Sequence, residues 1–120
     1  MKSVIKCSVF FAFLLYAVSA GSAALGADKD LERGEAVFNE KCAKCHGRGA
    51  TGTTAGPPLV HRIYHPNHHA DLSFRWAVER GVRAHHWGFG DMPKVEGVAP
   101  QDVELIIKYV RKLQKDAGIF

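Results

Sequence analysis

Cys42, Cys45 and His46 stand in the stretch Glu40-Lys41-Cys42-Ala43-Lys44-Cys45-His46-Gly47, two thiols three apart with an imidazole directly behind the second. Side chains of these types at this spacing can bind zinc, cycle between dithiol and disulfide, or anchor a haem. The other cysteine of the chain, Cys7, lies at the start of an apolar N-terminal run. Zinc would therefore have to complete four ligands from histidines alone, where a zinc ribbon brings a second cysteine pair. A thioredoxin-like dithiol follows a strand in a βαβ pattern, yet Leu31, Ala36, Val37 and Phe38 recur at helical spacing among charges ahead of Cys42.

The third chemistry uses every residue of the stretch. If residues 31–46 form a helix, Cys42, Cys45 and His46 fall at i, i+3 and i+4 and share one face. Two thioethers to the vinyl groups and an imidazole on the iron can then be supplied from the same side, and C-x-x-C-H is the attachment signature of a c-type haem.

A sixth iron ligand is sought on another segment. Once residues 1–27 are set aside, Met92 is the one methionine left, in Phe89-Gly90-Asp91-Met92-Pro93. A lone methionine is usually a flexible core filler. Here Gly88, Gly90 and Pro93 predict an irregular loop, and Pro93 restricts Met92 to extended backbone, which suits a thioether aimed at a metal. His46 and Met92 are thus the expected metal ligands.

The compartment expected from the N-terminus agrees with this chemistry. Lys2 and Lys6, an apolar run from Val9 to Val18, and the small residues Ser19 to Ala27 follow the order of a secretory signal peptide. The run is shorter than the roughly 20 apolar residues a spanning helix needs. Residues 1–27 are therefore read as the signal, cut somewhere between positions 20 and 27, and residues 28–120 as the mature domain. Removing 27 of the 120 residues leaves 93, room for one small domain whose core would gain much from a bound apolar cofactor. The formal charge falls from +4 to +2 with Lys2 and Lys6, too mild to indicate nucleic acid. The expected product is exported, periplasmic or equivalent, soluble, monomeric, and without a membrane span after cleavage.

These residues together resemble the small soluble class I cytochromes c over nearly the whole mature chain. Gly34 to His46 resembles the family's first helix, Gly56-Pro57-Pro58-Leu59 its proline loop, Met92-Pro93 its sixth-ligand loop, and Val103 to Leu113 its last helix. The resemblance implies an all-α fold, three main helices around one covalently bound haem, with His46 proximal and Met92 distal. It implies that the Pro57 carbonyl accepts the Nδ1 proton of His46, which raises ligand basicity. It also implies that Leu59 packs on the haem edge and that Gly34 and Phe38 cross the last helix at Tyr109.

Pattern supports the helices independently. Val103, Ile106, Ile107, Val110 and Leu113 recur at helical spacing, Pro100 suits a first turn, and Asp102 and Glu104 sit near the N-terminus. Lys108, Arg111, Lys112 and Lys115 read as a solvated outer face and end. Gly34, where alanine would favour a helix by about 1 kcal/mol, suggests close approach of another backbone. A middle helix is expected from Asp71 as cap to Gly81, with Leu72, Phe74, Ala77 and Val78 facing inward.

Six histidines lie outside the attachment motif: His61, His65, His68, His69, His85 and His86. Most read as surface or hydrogen-bonding groups. His65, His68 and His69 can converge in a turn and bind copper or zinc, and a histidine is also a rival for the sixth position of the iron. Trp76, Trp87 and, more weakly, Tyr64 are candidates to donate to a haem propionate. The leading expectation is a one-electron carrier with redox partner proteins and no catalytic residues. The competing readings are a small haem peroxidase or gas sensor with a displaceable sixth ligand, and a histidine-rich haem protein that handles copper or zinc.

Overall fold

The computed structural model describes the backbone from Lys6 to Phe120 and side chains from Ala24. Residues 1–5 and the side chains up to position 23, most of the expected signal segment, lie outside the described residues. The chain divides into two units, residues 1–30 and residues 31–120. Helix α1 runs over Lys6–Lys41, and it is followed by a four-residue helix α2 (Ala43–His46). Helix α3 (Asp71–Arg80) and helix α4 (Pro100–Asp116) complete the long elements. The connections carry single 3-10 turns at Arg48–Ala50 and Arg62–Tyr64. Among the described residues, strand pairing is limited to one antiparallel bridge between Val82 and Met92, and no helix is long and apolar enough to cross a membrane.

The expected single helix over 31–46 is broken at Cys42, where φ is −118°. Helical hydrogen bonding nevertheless carries through, with Cys42 N–H donating to Phe38 O at 2.8 Å and His46 N–H to Cys42 O at 3.0 Å. The two thiols and the imidazole therefore keep their i, i+3, i+4 relation across the kink.

Helix α4 supplies most of the core. Pro100 occupies its first turn, where no N–H partner is needed. Val103, Ile106, Ile107, Tyr109 and Val110 are buried at helical spacing, and Ile106, Tyr109 and Val110 pack with Phe38 and Ala50. The crossing of α1 and α4 turns on Gly34, as expected. A Cβ built at Gly34 would fall on the Leu105 carbonyl group, 2.8 Å from its carbon and 3.2 Å from Tyr109 Cβ. One turn on, the rings of Phe38 and Tyr109 meet at 5.5 Å between centroids, tilted by 55°. Arg33 Nε donates to Asp102 Oδ1 at 2.8 Å across the same crossing.

Two expectations for the middle helix need correction. Ala70, not Asp71, is the N-cap, with no side-chain capping bond, and Asp71 is the first helical residue. Its carboxylate is engaged elsewhere, accepting from Arg111 Nε at 2.8 Å. Leu72 does not face inward but is 46 % exposed, because the inward stripe runs through Phe74, Ala77 and Val78, a turn that leaves Leu72 on the opposite side.

Arg111 overturns its assignment to the outer face. Its side chain is only 13 % exposed. The guanidinium donates to Tyr64 O at 2.6 Å, His69 O at 2.5 Å, Gln114 Oε1 at 2.7 Å and Asp71, and lies 4.7 Å from the Phe74 ring centroid. Gln114, fully buried, donates from Nε2 to Leu59 O at 2.8 Å. These two side chains of α4 satisfy carbonyls of the irregular 59–69 segment, which has no secondary structure long enough to satisfy them itself.

Candidate functional site

A cavity of about 610 Å³ opens between the helices, and its walls carry Cys42, His46, Pro57, Leu59 and Met92. Phe38, Val103, Ile106 and Ile107 form its apolar floor. The volume falls within the range of pockets that bury a sizeable ligand.

His46 is 8 % exposed. Its Nδ1 donates to Pro57 O at 2.9 Å, since a carbonyl can only accept. That contact fixes the tautomer with an unprotonated Nε2, the nitrogen left to bind a metal. Burial pushes the imidazole below its ordinary range, and the Pro57 carbonyl partly opposes this. The loop that brings Pro57 round is held by short bonds: Gly52 N–H donates to His46 O at 2.6 Å and Thr53 Oγ1 to Cys45 O at 2.6 Å.

Cys42 lines the cavity, and its thiol is pushed up to about 11 by burial and then by the neighbouring Cys45. Cys45 is exposed and is not among the lining residues. Both thiols are free.

Met92 is positioned by backbone. Val82 N–H donates to Met92 O at 2.9 Å and Met92 N–H to Val82 O at 2.8 Å. Gly81, at φ +78°, ends α3 immediately before this bridge, and a Cβ there would meet Met92 O at 2.5 Å. Only glycine takes both that angle and that approach without strain. The bridge confirms the extended backbone expected ahead of Pro93.

Leu59 borders the cavity and packs on the core. Trp87 also borders it, and its indole Nε1 is buried without a hydrogen-bond partner. It still comes near enough to the Tyr64 hydroxyl to oppose the upward shift that burial gives that phenol. Trp76 is exposed, with Arg80 over its ring at 5.3 Å.

The histidines converge differently from the expected set. His68 and His69 meet His86, with ligand atoms all within 4.8 Å of one another. His65 is not in the group: its Nδ1 accepts from Asn67 N–H at 3.1 Å and its ring faces Phe120 at 5.7 Å. Local spacing suggested a turn-borne triad; the fold instead brings in an imidazole eighteen residues away from His68.

An apolar cavity whose walls present a thiol, an imidazole with a fixed tautomer, a thioether and an unpartnered indole N–H fits an iron macrocycle with polar edges. The match to known families decides what it is. Residues 31–114, well over half of the chain, match the family model described as Cytochrome c. The chain belongs to the cytochrome c family. No curated protein and no solved structure matches it. Membership implies covalently bound haem c and, in general terms, electron transfer. In this cytochrome c the predicted site residues Cys42, His46, Pro57, Leu59 and Met92 border one cavity. Sequence reasoning missed Arg111, Gln114 and the participation of His86 in the histidine group. Unusual inward placement of a charge in an amphipathic helix leaves no signal in spacing alone, and His86 required the tertiary fold.

Proposed function

We propose that this cytochrome c is an exported, periplasmic or equivalent, monomeric one-electron carrier. Its haem would be held by thioethers at Cys42 and Cys45, with His46 and Met92 as axial ligands. The carrying observation is the bordering of one cavity by His46, with Nδ1 committed to Pro57, and by Met92, with both backbone groups committed to Val82. The His46 backbone is satisfied as well, its N–H by Cys42 O and its carbonyl by Gly52 N–H.

Bound there, haem c supplies an iron that changes valence by one electron. His46 offers a neutral Nε2 made more basic by the Pro57 carbonyl. Met92 offers a soft thioether, which favours the ferrous state and so a comparatively high potential. Leu59, Phe38, Val103 and Ile107 would keep water from the bound group, and Trp87 Nε1 would be available to donate to a propionate. With His46 and Met92 both holding the iron, small ligands would have no open site, which favours a carrier over a peroxidase or gas sensor. Donor and acceptor would then be redox proteins docking at the exposed haem edge. The charged, apolar and small-residue order of the N-terminus supports export.

The ferric absorption spectrum of the exported holoprotein tests the reading. A low-spin spectrum with the weak long-wavelength band of a methionine–iron bond is expected. A high-spin spectrum in the resting protein would replace the carrier with a ligand-binding function.

A further inference from the structure

The haem reading leaves one cluster of metal-binding side chains unused. We propose that His68, His69 and His86 form a second metal site, for a borderline transition-metal ion of the zinc and copper class, at the exposed margin of the haem cavity.

The geometry is built from both sides. His68 Nε2 and His86 Nε2 face each other at 3.2 Å. In a tetrahedral site with metal–nitrogen bonds of about 2.0–2.1 Å, neighbouring ligand atoms lie about 3.3 Å apart, so this pair already spans one edge of such a polyhedron. Without a metal, one of these nitrogens must carry a proton to hydrogen-bond the other. With a metal, both lone pairs point inward. The third ligand is oriented independently: His69 Nδ1 donates to Ile63 O at 2.8 Å, leaving Nε2 unprotonated. A carbonyl behind a ligating imidazole is the usual second partner that fixes its tautomer and rotation.

The supporting backbone is also held. His68 N–H and His69 N–H both donate to His65 O, at 2.8 and 2.9 Å, which closes the turn that presents the two rings side by side. The carbonyl of His69 accepts from Arg111, tying this turn to α4. On the other side His85, whose Nδ1 donates to Arg83 O at 2.8 Å, packs its ring 4.3 Å from that of His86 and buttresses it. The ligand set is all imidazole nitrogen, which suits zinc and copper and not calcium or magnesium, which take oxygen. Three side-chain ligands leave a fourth position for water.

Calorimetric titration of untagged, metal-stripped holoprotein with Zn2+ tests the site without reading the haem. One ion per chain is expected, with affinity weakened by at least about tenfold in His68→Ala and in His86→Ala, the scale on which such sites respond to lost support. Both substituted residues are exposed, and an unchanged haem absorption spectrum in the same samples shows that the fold persists. His65→Ala should bind as the wild type does. Absence of binding, or binding that His68→Ala and His86→Ala leave within twofold of wild type, overturns the proposal, as does a loss confined to His65→Ala. Competition by Cu2+ at the same single site, abolished by the same two substitutions, would extend it to copper; a copper site insensitive to them would count against the assigned ligands.

Discussion

His46 Nδ1 and Pro57 O lie 2.9 Å apart, a contact that joins the attachment helix to the loop that closes over the same side of the cavity. It makes one ring nitrogen a donor to protein and leaves the other for a metal. In the holoprotein, His46→Ala should remove the low-spin haem spectrum, because no second imidazole stands on that stretch. Persistence of low-spin bands would place the proximal ligand elsewhere.

Met92→Ala should vacate the sixth position and lower the reduction potential, within the roughly 0.8 V range that axial ligands span. Spectroelectrochemical titration reads the direction. If water enters, the ferric iron becomes partly high-spin and binds cyanide more readily. If His85 or His86 takes the place, the iron stays low-spin at lowered potential, and alanine at those positions then turns it high-spin. A spectrum and potential equal to wild type would make Met92 a packing residue.

The thiols should differ in reactivity before haem is attached. Cys42 is raised to about 11 chiefly by burial, whereas Cys45 is exposed, and the thiolate is the nucleophile. Timed alkylation of the haem-free chain near neutral pH, read by peptide mass, should modify Cys45 well before Cys42. Equal rates would show that the haem-free chain does not hold this fold around Cys42. In protein expressed with the haem-attachment machinery, alanine at both positions should abolish haem staining on a denaturing gel.

Arg111→Ala should destabilise the holoprotein by about 2–4 kcal/mol, because a charge-assisted donor is withdrawn from the carbonyls of Tyr64 and His69. Arg111→Lys should recover little, since an ammonium cannot reproduce the planar fork that reaches Tyr64, His69 and Asp71 together. Denaturant midpoints at constant slope give the measurement, and a wild-type midpoint for Arg111→Ala would return this residue to the solvated face.

Acid stability should carry a signature of the Arg75–Glu104 pair, which joins α3 to α4 by two bonds of 2.5 and 2.8 Å. The hydrogen bond from Arg75 holds Glu104 below its ordinary value of 4.5. A carboxylate depressed in the folded state binds fewer protons there than when unfolded, so its contribution is complete above about pH 4.5 and is lost as pH falls through the folded value. Thermal midpoints of Arg75→Gln should therefore fall less steeply than wild type below about pH 4.5. Both partners are substantially exposed, so the difference is small and weakens with salt.

Helix α4 and its meeting with Gly34 were legible because amphipathic spacing and a helical glycine are local signals of a tertiary event. That Cys42, His46 and Met92 border one cavity was legible because their chemistry is rare and their neighbours punctuate the chain. The role of Arg111 was not. Its position on the helical wheel marks it as peripheral, and only the path of the 59–69 segment, set by its backbone's need for donors, wraps carbonyls around it. The same path explains why His65 was expected beside His68 and His69: spacing suggests that a turn gathers them, whereas the turn spends His65 on Asn67 and turns its partners toward His86. Leu72 failed for a narrower reason: two residues before Phe74 on a helix, it lies across the axis from the stripe of Phe74, Ala77 and Val78.

The reciprocal bonds between Val82 and Met92 close the neck of a loop, reinforced by Ala84 N–H donating to Asp91 Oδ1 at 2.8 Å. The segment between the two sides of that neck, including His85, His86 and Trp87, is thereby tied at both ends to the backbone that carries Met92. Residues of this insert can therefore be exchanged, and new surface chemistry set beside the cavity, while the peptide pairing that places Met92 is kept. Placement of the methionine thus rests first on paired peptide groups, which any residue but proline can supply, and not on the side chains at the tip of the insert.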